Sequence, residues 1–136
     1  MNPTDALLIE RACERLIVDS ALFNDERAWT ALAGLYTPDG VVVRPNGQRL
    51  EGRDAIEGAY AAGSSDRVTR HLCTNLRVDV DDADSAHATT TVLIASGARG
   101  DDLNVTFRVG EFADRFLRTD EGWRIAERRA SLMTNS

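Results

Sequence analysis

The chain has 136 residues, of which 43% are hydrophobic, and 16 basic against 22 acidic side chains give it a formal charge of −6. This length and apolar content predict a single domain over residues 1–136 with one core. The acidic balance, with no basic cluster, argues against nucleic acid as a partner. The absence of an apolar run of 18 residues argues against a membrane span.

The start of the chain and its cysteines favour a cytoplasmic location. The stretch Met1–Asp5 lacks the basic start and apolar segment of a signal peptide. Cys13 and Cys73 are the only two cysteines, too few for a disulfide framework or a zinc site, so we expect no metal. A free cysteine is commonly a small buried hydrophobe, which is the simplest interpretation of Cys73.

The first part of the chain is predicted to form two helices. Apolar side chains recur at helical spacing over residues 4–23, and Asn2 or Thr4 is a suitable N-cap. A second helix is predicted to begin at Asn24–Glu26, because acidic side chains stabilise a helix N-terminus. Thr37–Gly40 is predicted to end that helix in a turn.

A short hairpin and a third helix are predicted next. Val41–Arg44 and Gln48–Glu51 are typical of two strands joined by a turn at Pro45–Gly47. The third helix is predicted over Arg53–Ala62, with Gly63 closing it.

The rest of the chain is predicted to form an antiparallel meander. Three long strands are expected at about 67–80, 85–98 and 103–119, and Trp123–Leu132 closes the series. Because strands follow helices, the predicted class is α+β. We expect a curved, mixed but mainly antiparallel sheet with three N-terminal helices on its concave face, which leaves a cone-shaped hollow.

Two features of the long strands predict how their side chains face. Val105 and Phe107 alternate to one face of the third long strand, and after Gly110 the apolar positions shift to Phe112 and Phe116. This change of parity predicts a bulge near Gly110. On the closing strand, Arg128 and Arg129 next to Glu127 are interpreted as a charged strand face whose individual ion pairs contribute little stability.

His71, on the first long strand, is the residue that indicates chemistry. If the fold brings it to Asp25 inside a pocket, the carboxylate orients the imidazole and the imidazole takes a proton. The alternatives are a buried histidine tied to a carboxylate for stability, and an aspartate that caps a helix. Cys73 and Asn75 share the parity of His71, and Asn75 could donate a hydrogen bond to a substrate oxygen.

A regular strand would place His71 on its polar side. Arg77 and Asp79 share its parity, whereas Leu76 and Val78 lie opposite. Either a bulge intervenes, or both faces of the strand are covered.

Four stretches of the chain carry a resemblance to a known family. They are Asn24–Trp29, Tyr36–Gly40, Gly52–Ile56 and Arg70–Asn75. In their order and spacing, the chain resembles the SnoaL-like branch of the cone-shaped fold shared with nuclear transport factor 2. Within that branch it looks most like scytalone dehydratase and the hexachlorocyclohexane dehydrochlorinase.

The resemblance implies an Asp25–His71 dyad, since in both groups an Asp at the second helix partners a His on the first long strand. It implies a lyase or isomerase without a metal or organic cofactor, acting on a small apolar, cyclic molecule. It also aligns Arg118 with a basic pocket residue of the dehydrochlorinase. Asn24 stands where scytalone dehydratase has a Tyr, and Leu103–Arg118 contains no His, so scytalone itself is not the expected substrate.

The hollow is expected to be lined by substrate-contacting residues, some of which would serve equally well as core. These candidates are Trp29, Tyr60, Cys73, Asn75, Val105, Phe107 and Arg118. The competing interpretation is a non-catalytic ligand-binding or interaction module, or an accessory subunit like that of a ring-hydroxylating dioxygenase. Ketosteroid-isomerase-like chemistry is less favoured, because Asn104 and Thr106 occupy the strand that would carry its acid. An exposed sheet face predicts a homodimer or homotrimer through the long strands.

Overall fold

A computed structural model describes residues 1–135 as three α-helices packed against one six-stranded sheet. The helices and strands, in chain order, are α1 Pro3–Asp25, α2 Trp29–Ala33, β1 Tyr36–Val43, β2 Arg49–Glu51, α3 Arg53–Ala61, β3 Arg67–Val80, β4 Ser85–Ala98, β5 Thr106–Thr119 and β6 Gly122–Leu132, followed by a 3-10 turn at Met133–Asn135. None of the helices in this part of the chain combines the length and apolar character needed to cross a bilayer.

The strand order in the sheet is β2-β1-β6-β5-β4-β3. β1 runs parallel to β6, and every other neighbouring pair is antiparallel. The sheet is curved and unclosed, with helices against its concave face. The predicted α+β cone is therefore confirmed.

α1 begins where the sequence predicts and ends later. The Asn2 side chain accepts a hydrogen bond from the Asp5 amide at 2.9 Å, and Pro3 occupies the first turn, so Asn2 is the N-cap. The helix continues through Asp25, and α2 begins only at Trp29. The prediction that Asp25 starts a second helix is wrong. The chain changes direction at Arg27, whose φ of 59° lies in the left-handed region.

Two smaller boundaries also differ from the prediction. Thr37–Gly40 lies within β1 rather than in a turn, and its irregularity is a shift in the β1–β6 register between Tyr36 and Val41. Gly40 is required there because a Cβ atom would lie 2.8 Å from the Cβ of Tyr36. α3 ends at Ala61 with Ala62 as its C-cap, just before Gly63.

The predicted bulge at Gly110 is wrong. The β4–β5 register runs without a shift past Gly110, and the irregularity of β5 against β6 lies between Arg115 and Phe116. The apolar parity changes because the strand uses both faces. Phe107 is 66% exposed on the outer face, whereas Phe116 is fully buried inside. The predicted dimer or trimer through this outer face stays a prediction.

The core lies between α1, α3 and the inner face of the sheet. Its largest fully buried side chains include Ile17, Tyr36, Ile56, Phe116 and Ile125. These come from both helices and from strands at the centre of the sheet, so the helices and the inner face of the sheet share one core.

A buried ion pair crosses this core. Arg128 donates to both carboxylate oxygens of Asp114, at 2.7 and 2.9 Å, and to the Ser20 hydroxyl at 2.9 Å, while its guanidinium lies 3.9 Å from the centre of the Phe112 ring. Burial alone lowers the pKa of Arg128, but the attraction and hydrogen bonds of Asp114, together with the nearby Tyr36 and Tyr60, outweigh it, and the pKa stands above its ordinary value. Arg129 is exposed, whereas the interpretation of Arg128 as part of a charged strand face with weak ion pairs is wrong, because its side chain is buried and paired with Asp114.

Removing one partner of this pair should be costly. Asp114→Ala leaves the Arg128 guanidinium buried without its counter-charge, so we expect a loss of about 3–5 kcal/mol in the free energy of unfolding, measured by urea denaturation. The control is Arg115→Ala, which removes an exposed contact to Glu127 and should cost no more than about 1 kcal/mol. Equal losses of stability in the two variants would contradict the conclusion that Asp114 and Arg128 form a buried ion pair.

Candidate functional site

A bulge in β3 decides which way His71 faces. Thr74 pairs with Thr91 and Arg77 with Thr89, so β3 advances three residues over a stretch in which β4 advances two. The extra residue falls at Asn75, whose φ is 50°. Asparagine tolerates this left-handed conformation better than most residues. Of the two explanations for the polar parity of His71, the structure shows the bulge.

The bulge exchanges the faces of the two halves of β3. Before it, Thr69, His71 and Cys73 face the interior, and after it Leu76 and Val78 do. The polar residues that shared the parity of His71 in the sequence, such as Arg77, therefore point outward. His71 thus faces the interior of the cone on a strand that also contributes to the core.

The Asp25 carboxylate at the end of α1 meets β3 through three contacts. Its Oδ1 lies 2.5 Å from Nδ1 of His71 and accepts a hydrogen bond from the Thr69 hydroxyl at 3.0 Å. Its Oδ2 accepts a hydrogen bond from the His71 main-chain amide at 2.9 Å. The side chains of Asp25 and His71 are only 9% and 12% exposed. The carboxylate therefore fixes both the ring of His71 and the strand that carries it.

The turn between α1 and α2 is held against the end of α3. The Arg27 guanidinium donates hydrogen bonds to the carbonyls of Gly63 and Ser64, at 3.1 and 3.0 Å. It also lies 5.1 Å from the centre of the Trp29 ring. These contacts keep the α1–α2 turn in place, and Asp25 lies at its start.

The Asp25–His71 pair opens onto a cavity of about 300 Å³. Its lining combines the pair with two aromatic rings and several polar groups: Asn24, Asp25, Arg27, Trp29, Arg44, Ala59, Tyr60, Gly63, Ser64, Arg67, Thr69 and His71. The rings of Trp29 and Tyr60 stack with centres 6.2 Å apart. Burial raises the pKa of the Tyr60 hydroxyl, so the hydroxyl stays protonated near neutral pH and is available as a donor.

The structure brings together some of the predicted site residues and not others. Trp29 and Tyr60 line the cavity beside the Asp25–His71 pair, and Cys73 occupies the next inward position of β3. The others lie elsewhere: Asn75 is exposed at the bulge, Val105 and Phe107 are exposed on the outer face, and Arg118 lines a separate cavity with Trp123 and the start of α1.

Sequence reasoning missed the arginines of this cavity, Arg27, Arg44 and Arg67. They come from a turn, the end of β1 and the start of β3, and no motif joins them. Within the described residues, no group of three or more His, Cys, Asp or Glu side chains is arranged to hold a metal ion.

The comparison with known families decides where this site belongs. A sequence model described as a SnoaL-like domain matches residues 5–129. The chain belongs to the SnoaL-like family. No curated protein sequence matches it.

Solved structures with the same cone include proteins of dehydratase and dehydrochlorinase type. A candidate scytalone dehydratase from Novosphingobium aromaticivorans is 25% identical, with a TM-score of 0.83, and the match covers 96% of this chain and 88% of that one. A Mycobacterium tuberculosis protein of unknown function is 28% identical, with a TM-score of 0.83 and coverage of 97% and 76%.

A third structure shows the likeness of fold alone. The hexachlorocyclohexane dehydrochlorinase of Novosphingobium barchaimii is 18% identical, with a TM-score of 0.85, and the match covers 97% of this chain and 91% of that one. The resemblance of the sequence to the scytalone dehydratase and dehydrochlorinase group of the SnoaL-like family is therefore confirmed.

The bulge at Asn75 can be tested through its backbone conformation. Asn75→Val places a β-branched residue at a positive φ and should reduce the free energy of unfolding by about 1–2 kcal/mol. Asn75→Gly should cost little or nothing, because glycine adopts this conformation freely. Urea denaturation measures both variants, and an Asn75→Val variant as stable as Asn75→Gly would contradict the observed backbone.

The cysteine thiols are expected to react slowly with alkylating agents. Burial raises the pKa of Cys73 and outweighs the opposing effect of Arg128, and the charges of Asp114 and Asp25 raise the pKa further. Burial raises the pKa of Cys13 to about 12. Because the thiolate is the reactive form, iodoacetamide at pH 8 should modify both more slowly than free cysteine, and the rates should rise at higher pH. Mass spectrometry locates the label, with the urea-unfolded chain as the control; rapid labelling of folded Cys73 would contradict the prediction.

Proposed function

We propose that the protein is a cofactor-independent lyase or isomerase that removes a proton from carbon in a small, mainly apolar, cyclic molecule. His71 is the base and Asp25 its partner. The observation that carries the proposal is the 2.5 Å contact between Nδ1 of His71 and Oδ1 of Asp25 at the wall of an accessible cavity. A carboxylate, an imidazole and room for a substrate are what general-base catalysis requires.

The contacts of Asp25 define the tautomer of His71 that this role needs. A carboxylate oxygen accepts hydrogen bonds, so the proton of the neutral imidazole lies on Nδ1 and the Nε2 lone pair is left to act as the base. The additional hydrogen bonds from Thr69 and from the His71 amide hold the carboxylate in place. The ring therefore needs no reorientation when the substrate arrives.

The proton then moves in a sequence in which atoms and charges balance. Nε2 of His71 takes a proton from a substrate carbon, and the electron pair of that C–H bond forms a new double bond. In an elimination, the adjacent bond to the leaving group breaks, the leaving group departs with its electrons, and the imidazolium gives its proton to the leaving group or to water. In an isomerisation, the π electrons of a conjugated substrate carbonyl move onto its oxygen as an enolate, and when they return the imidazolium gives the proton to another carbon. The Asp25 carboxylate stabilises the imidazolium that forms between the two steps.

The cavity supplies the remaining requirements. The stacked rings of Trp29 and Tyr60 offer an apolar wall for the body of the substrate. The protonated Tyr60 hydroxyl is a donor for a substrate oxygen or leaving group. The low exposure of the dyad keeps bulk water away from it, which strengthens the electrostatic interaction between imidazolium and carboxylate. Membership of the SnoaL-like family and the candidate scytalone dehydratase among its neighbours support the same class of reaction.

The proposal is tested by removing the base. Proton–deuterium exchange and product formation are followed by NMR in D₂O with a panel of small cyclic ketones, alcohols and halides. We expect His71→Ala to lower the rate by about 10²–10⁴-fold, since positioned proton transfer contributes that much. Asp25→Asn should also lower it, because the imidazolium loses its counter-charge.

The chain offers a matched control for this experiment. His87 forms a second histidine–aspartate pair, with Nδ1 2.8 Å from Oδ1 of Asp81, but its side chain is 52% exposed and lies outside the cavity. His87→Ala should leave the rate unchanged. A folded His71→Ala variant with the rate of the unmodified chain would overturn the proposal.

A further inference from the structure

A second cavity adjoins the one that contains the Asp25–His71 pair. It has a volume of about 620 Å³ and lies on the inner face of the sheet. It is lined by Arg44, Pro45, Asn46, Arg67, Ile94, Ser96, Thr106, Arg108 and Leu132. Arg44 and Arg67 line both cavities. The two cavities therefore adjoin at these two side chains, and we call the region around Arg44, Arg67 and Arg108 the arginine mouth.

The arginine mouth carries an excess of positive charge in an acidic protein. Asp25 is the only acidic residue among those that line the two cavities, and it is engaged by Thr69 and His71. Within residues 1–135, none of the three mouth arginines forms an ion pair with a carboxylate; Arg44 instead contacts the neutral Gln48 amide at 3.3 Å. Because the whole chain has a net charge of −6, the positive charge of the arginine mouth is a local feature and not part of a generally basic surface.

The strand register aligns this charge with the proposed base. His71 on β3 is directly opposite Ile94 on β4, and Ile94 is directly opposite Arg108 on β5. The three residues form one row on the inner face. Because neighbouring strands lie about 4.8 Å apart, about 10 Å separates the backbone positions of His71 and Arg108. One or two fused rings would span that row, with Ile94 as an apolar floor beneath them.

Arg44 adds a contact that holds its charge towards the hollow. Its guanidinium lies 5.3 Å from the centre of the Tyr60 ring, within range of a cation–π interaction. Tyr60 itself lines the cavity of the Asp25–His71 pair. The aromatic wall of the proposed active site is therefore in contact with the arginine mouth.

We propose that the substrate carries an oxyanionic group, a carboxylate or a phosphate ester, which the arginine mouth binds. The apolar body then lies over Ile94, and the reacting carbon lies at His71. The planar guanidinium presents paired donors that match the oxygens of these groups. This inference rests on the proposed function for the identity of the reacting end, and it defines the opposite end of the same molecule.

Binding of matched ligands tests the inference without turnover. The probes are 1-naphthoate and 1-naphthyl phosphate, with the neutral 1-naphthamide as their isostere, and isothermal titration calorimetry at low salt gives the Kd of each. We expect at least one anion to bind about tenfold more tightly than the amide, and added salt to reduce that preference, because partly exposed charges are screened. The tighter of the two anions identifies the oxyanion class.

Two variants separate the arginine mouth from the overall charge of the protein. Arg108→Gln should weaken binding of the preferred anion about five- to tenfold and leave the Kd of the amide unchanged. Arg11→Gln removes the same charge from an exposed position on α1 that lines a different cavity, and it should leave all three Kd values unchanged. Equal affinity for anions and amide, or equal losses in both variants, would overturn the inference.

His71→Ala distinguishes a failure here from a failure of the proposed function. That variant should retain anion binding, since the imidazole is not part of the arginine mouth. If neutral compounds undergo His71-dependent exchange while the anions show no preference, the proposed function stands and this inference falls. If the anion preference and its dependence on Arg108 are present while exchange is independent of His71, the inference about binding stands and the catalytic proposal falls.

Discussion

The site depends on the Asp25 carboxylate, which joins the end of α1 to the inner face of β3. One side chain accepts hydrogen bonds from the Thr69 hydroxyl and the His71 amide, and contacts the His71 ring. The same group thus positions an imidazole and anchors a helix end to the sheet. A histidine–aspartate pair with a purely structural role would need only to anchor the helix end to the sheet. The accessible cavity beside the ring is what favours a role in chemistry.

The sequence was sufficient for the general architecture, and its resemblance to the SnoaL-like family pointed to the contact between Asp25 and His71. The helical spacing of apolar residues along α1 and the succession of long strands predicted an α+β cone, because each pattern indicates an element with one face buried against the core. Asp25 and His71 were identified, although the helix assigned to Asp25 was wrong. Local sequence did not reveal that α1 runs on to Asp25, since the reversal that ends the helical region depends on the left-handed Arg27. The Arg27 contacts that hold this turn come from residues more than thirty positions away.

The wrong predictions about which face of a strand a side chain takes have one physical origin: the polarity of a side chain alone does not determine whether it points inward or outward. Phe107 was expected inside and lies outside, whereas Arg128 was expected on a charged strand face with weak ion pairs and is buried against Asp114. A signal for the buried pair was present: Asp114 has the same parity as Phe112 and Phe116 on β5. The arginine mouth left no such signal, because Arg44, Arg67 and Arg108 are far apart in sequence and line one cavity only in the folded protein. Charged side chains therefore lie in two regions on the inner face of the sheet: Arg128 is buried and paired with Asp114, whereas the arginine mouth, with Arg67 and Arg108 exposed to solvent, has no carboxylate partner within residues 1–135.

The bulge in β3 has a consequence for how this strand tolerates change. Its single extra residue allows one strand to present His71 to the hollow and Leu76 to the core. A substitution in the strand alters one side chain, but deletion of one residue near Asn75 would remove the bulge and reverse the facing of every side chain on one side of it. Either His71 would then point to the outer surface, or the apolar residues after the bulge would. The length of β3, counted to the single residue, is thus under tighter constraint than the identity of most side chains along it.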